Sequence, residues 1–122
     1  MTDESVSVAF GSLGHLKALH RMVMNRKFEG PDNVFFGSPH LAAAQHAILE
    51  TLMQAEPQHA AQWQSWRDAR KHELVVNRVR QHLDNHREVV AEMEPVVRRA
   101  YVESLLAPLV GDPGLLSESA GG

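Results

Sequence analysis

The chain has 122 residues, a length that suits one domain, and 12 basic against 15 acidic side chains leave a formal net charge of −3. That balance is too near neutral for a protein that coats nucleic acid by bulk charge. A hydrophobic content of 43% excludes disorder throughout, and the absence of cysteine excludes disulfides, thiolate nucleophiles, iron–sulfur clusters and Cys-ligated zinc.

Residues 1–11 are weakly patterned, and Val6, Val8 and Phe10 alternate with small residues, which fits a short extended N-terminal arm or a frayed helix start. Ser12 is a good N-cap, and Leu13, Leu16, Leu19 and Val23 then recur at three- and four-residue steps, which predicts a helix to about Lys27. Gly30-Pro31-Asp32-Asn33 breaks it. Ser38-Pro39 reads as the next start, because a proline at the first helical position loses no hydrogen bond. Leu41, Ala44, Ile48, Leu52 and Ala55 supply its apolar stripe, and Glu56-Pro57 ends it.

From Pro57 to Val110 the clear breakers are prolines. Val76, Val79, Leu83, His86, Val90, Met93, Val97 and Ala100 follow alternating steps of three and four, a heptad seam with one histidine in it. Trp63, Trp66 and Leu74 fall opposite that seam on one straight helix. Either the chain bends near Arg70–Glu73 or a central helix is packed on both sides; the lack of Gly or Pro from Arg67 to Asn77 favours the second. Pro95 falls outward of the seam, where it kinks the helix or starts a new one. Tyr101, Leu105 and Leu106 carry the apolar face on to Pro108, and residues 111–122 read as a flexible tail. The expected fold is all-α: a small bundle of three to five helices over residues 12–110, with one long C-terminal helix or a kinked helix pair.

The seam carries the leading functional expectation. Val76, Val79, Leu83, His86, Val90, Met93 and Val97 would form an interface with a protein partner, most simply a second copy, with His86 as the buried polar residue that sets register. The same pattern is also what an intramolecular core face looks like.

Eight histidines supply a second expectation, since protonating all of them would reverse the sign of the net charge. His82 and His86, four apart, lie one above the other on a helix. With His20 at the edge of the first apolar face they make a candidate site for a transition metal such as zinc, nickel, copper or iron. His46 and Glu50 share the spacing but fall on the side away from Leu41, Ile48 and Leu52, towards water.

A third expectation is a basic stripe of Arg67, Lys71 and Arg78 that could track phosphates, with Trp63 and Trp66 nearby to stack on bases. The acidic remainder of the chain opposes nucleic-acid approach, and no helix-turn-helix spacing stands out. There is no GxSxG, HExxH or glycine-rich phosphate loop, so no catalytic residue is singled out and an enzyme is disfavoured. The acidic start and the lack of an apolar run of ~20 residues lead to the expectation of a cytoplasmic protein without a membrane partner.

Overall fold

The computed structural model describes residues 8–29 and 36–111. Within them the chain forms six α-helices and no strand: α1 (Leu13–Phe28), α2 (Pro39–Ala55), α3 (Ala60–Trp66), α4 (Glu73–Asn85), α5 (Arg87–Glu92) and α6 (Pro95–Leu106). Single 3₁₀ turns at Pro57–His59 and Ala69–Lys71 flank α3. The expected tail lies almost wholly outside the described residues.

Local chemistry sets the first two helices. The Ser12 hydroxyl accepts from His15 N at 3.3 Å, and the Ser38 hydroxyl accepts from Leu41 N at 3.2 Å, each satisfying a donor that the helix start leaves open. Pro39 takes the first helical position of α2 and Pro57 follows its end. The α2 stripe, however, sits one residue round from the expected one: Ala42, Gln45, Leu49 and Leu52 are buried. A polar residue at position 45 hides that stripe from a reading based on apolar spacing.

The single long helix favoured after residue 57 is absent; the bend near residue 70 is what forms. The reason is tertiary. Val110 N donates to Arg67 O at 2.7 Å and Ala69 N donates to Val110 O at 3.1 Å, in a parallel bridge between Asp68 and Val110. These bonds take backbone groups that a continuous helix would pair internally. The Asp68 carboxylate accepts from Arg70 N at 3.0 Å and fixes the turn. Further on, His86 leaves helical geometry, and Met93 and Glu94 are extended before Pro95, as a residue preceding proline prefers.

The core has two clusters. One gathers Phe36, Ala69, Val76, Val79, Leu83, Val90, Val102, Leu105, Leu106 and Leu109; the other centres on Leu16, Leu49 and Leu52, and Trp66 packs against both. Gly37 lets the chain pass close to Tyr101, since a Cβ there would lie 2.7 Å from the ring. The Ala107–Pro108 peptide is cis.

Candidate functional site

The seam expected along one helix is divided among three. Val76, Val79, Leu83 and Val90 are buried in the larger core cluster, where α6 presents Val102, Leu105 and Leu106. These four therefore lie inside the molecule, not on an outer face. His86 is exposed and its Nδ1 lies 2.9 Å from the carbonyl of His82, a local bond at the end of α4 rather than a polar core contact. Met93 is half-buried, and Ala100 is exposed. Each break in the helix shifts the phase of the three-four count, so a stripe that is continuous in sequence is not continuous in space.

The same breaks bring other aliphatic side chains outward. Val89 is 59% exposed, Val96 80% and Val97 53%. They stand on two short helices joined through Met93 and Glu94. Arg98 secures that joint: its guanidinium donates to the carbonyls of Val90 (3.0 Å), Ala91 (3.1 Å) and Met93 (2.9 Å), at the C-terminal end of α5 where a cation is favoured.

The three candidate metal ligands occupy different surroundings. His20 packs edge-on against Trp63 and Trp66, with ring centroids 5.6 and 5.2 Å away. His82 stacks near His86 at 4.4 Å, contacts Phe36, and its Nε2 lies 2.8 Å from the Tyr101 hydroxyl. Among the described residues no group of three His, Asp or Glu side chains is placed to share a metal ion. Burial, with the Arg21 charge adding to it, holds His20 below its usual pKa.

The basic stripe is likewise dispersed. Arg67 turns inward, donating from Nε to the Pro108 carbonyl at 3.3 Å and from its terminal nitrogen to His46 Nδ1 at 2.7 Å. Lys71 donates to the Ser65 hydroxyl, and the Arg78 guanidinium lies 5.4 Å from the centre of the Phe36 ring. His46, expected to face water, is half-buried. Burial is the larger cause holding its pKa below the usual value, with Arg67 next, and the ring's Nδ1 accepts the guanidinium hydrogen bond.

The residue that the reading of the sequence missed is Lys27. It is 2% exposed. Its ammonium donates to Gln45 Oε1 at 2.9 Å and to the carbonyls of Ser104 and Ala107, both at 2.8 Å. Three acceptors match the three N–H groups of a charged lysine, and the two carbonyls lie at the C-terminal end of α6. The Phe28 ring centre is 5.0 Å away. Burial drives the pKa down to about 7. The signal was present: Leu13, Leu16, His20, Val23 and Lys27 keep steps of three and four, so Lys27 sits on the buried face of α1.

Two clefts flank these elements. One, of about 490 Å³, lies between the end of α1 and the start of α4, with Phe28, His72 and Val75 in its wall. The other, of about 360 Å³, is lined by Lys17, Glu56, His59, Gln62, Trp63 and Trp66. No described helix is long and apolar enough to cross a membrane. Compared with protein-family models, with curated proteins and with solved structures, the chain matches none.

Proposed function

We propose that this chain is a helical interaction module that pairs with a second copy of itself through the face formed by α5 and α6. The observation that carries this reading is the exposure of Val89, Val96 and Val97 on consecutive short helices, while Val76, Val79, Leu83 and Val90 are buried. Exposed aliphatic side chains set among charged ones are what an association surface presents.

The charge around them favours a like partner. Between Arg87 and Glu103 the chain carries four glutamates and three arginines, and Arg99 pairs with Glu103 at 3.6 Å. A nearly neutral rim lets two copies approach, whereas a rim of one sign would repel its own image. A two-fold axis sets the patch against itself.

Sedimentation equilibrium tests the proposal. The native chain is expected to dimerise, and the double variant Val96→Asp, Val97→Asp to be monomeric with an unchanged circular dichroism spectrum. Both valines are solvent-facing, so the folded monomer tolerates the change. A native chain that stays monomeric across the whole accessible concentration range overturns the reading.

A further inference from the structure

We propose that the cleft between α1, the Pro57–His59 turn and α3 binds an organic ammonium ion, a quaternary or methylated amine, held by the Trp63 and Trp66 indoles and the Glu56 carboxylate. The inference is independent of the α5–α6 face and rests on different residues.

The cleft has about 360 Å³ of space, room for a small alkylammonium head, and it contains both tryptophans of the chain. Their rings are nearly perpendicular, 83° apart with centroids at 5.8 Å, so they form two walls of a corner rather than one flat surface. Indole is the aromatic ring that best attracts a cation, and cages built of aromatic rings recognise methylated ammonium groups. His20 packs edge-on against both rings and holds the corner in shape. His72 does the same for Trp66, at 5.1 Å, while its Nε2 lies 2.6 Å from the Trp66 carbonyl.

Glu56 supplies the charge. Its side chain is the more buried member of an ion pair with Lys17 at 2.8 Å: 16% exposed against 44%. Both side chains line the cleft, and the carboxylate is the less exposed of the two. His59 Nε2 stands 4.0 Å from the same carboxylate, and its Nδ1 lies 3.1 Å from Gln62 Oε1. Lys17 is the internal cation that a ligand displaces. A half-exposed lysine pair contributes little, because solvent screens it and a long side chain must be held still. A methylated ammonium loses less hydration than lysine on entering an aromatic corner, which favours the exchange.

Because Trp63 and Trp66 are the only tryptophans, their fluorescence reports the cleft directly. The full chain is titrated with tetramethylammonium chloride, with sodium chloride as the ionic-strength control and 3,3-dimethylbutan-1-ol as a neutral molecule of similar shape. A saturable change with tetramethylammonium, absent with sodium and with the alcohol, is expected. Glu56→Gln is expected to weaken binding by about tenfold, and Lys17→Gln, an exposed change, to tighten it several-fold by removing the competitor. A response that never saturates, an equal response to the alcohol, or weaker binding in Lys17→Gln overturns the proposal.

Discussion

Lys27 Nζ donates to Gln45 Oε1 across 2.9 Å, joining the two polar residues that interrupt the buried stripes of α1 and α2. The same ammonium reaches the last carbonyls of α6, so one side chain ties three helices together. Arg98 does comparable work at the end of α5. In both cases a cation satisfies carbonyls that a helix end leaves open.

Replacing Lys27 with methionine keeps the volume but orphans Gln45 Oε1 and two carbonyls. A loss of about 2–4 kcal/mol is expected by chemical denaturation. The double variant Lys27→Met, Gln45→Met removes both polar partners in the α1–α2 contact and is expected to regain part of that loss. Burial brings the Lys27 pKa from 10.5 to about 7, so the native amine releases its proton before the unfolded one does. Stability is therefore expected to rise with pH between about 7 and 10.5. The Lys27→Met chain should lack this slope; equal slopes in the two proteins would refute the assignment.

Arg67 and His46 form a second polar contact, half-buried. Arg67→Gln removes a charge that lowers the His46 pKa, so the imidazole is expected to titrate higher than in the native chain, as read by NMR. His20 and His46 both lie below the usual 6.5 in the native state. The unfolded chain takes up protons first as pH falls, so stability held above about 6.5 is lost as pH drops below it. That acid loss should be shallower in Arg67→Gln. An unmoved His46 titration would show that the Arg67 charge does not lower its pKa.

Leu83 and Val97 belong to one seam by sequence spacing, yet Leu83 is 6% exposed and Val97 53%. Leu83→Ala is expected to destabilise the monomer by about 2–5 kcal/mol. Val97→Ala is expected to change it by no more than about 0.5 kcal/mol. Thermal unfolding at low protein concentration separates the two, and comparable losses would mean the seam runs unbroken.

The caps at Ser12 and Ser38, the proline boundaries and the all-α fold were legible in the sequence, because each rests on interactions within a few residues of chain. So was the apolar face of α1, but not Lys27, because a lysine at that spacing carries no sign of what it will meet. The phase of the α2 stripe, the break at Arg67–His72 and the division of the seam were settled by tertiary structure. Gln45 is buried because Lys27 reaches it from another helix, and the helix stops after Trp66 because Val110, far along the chain, pairs with Arg67 and Ala69. Local spacing reports which residues can share a face; which face is covered depends on partners that only the folded chain brings near.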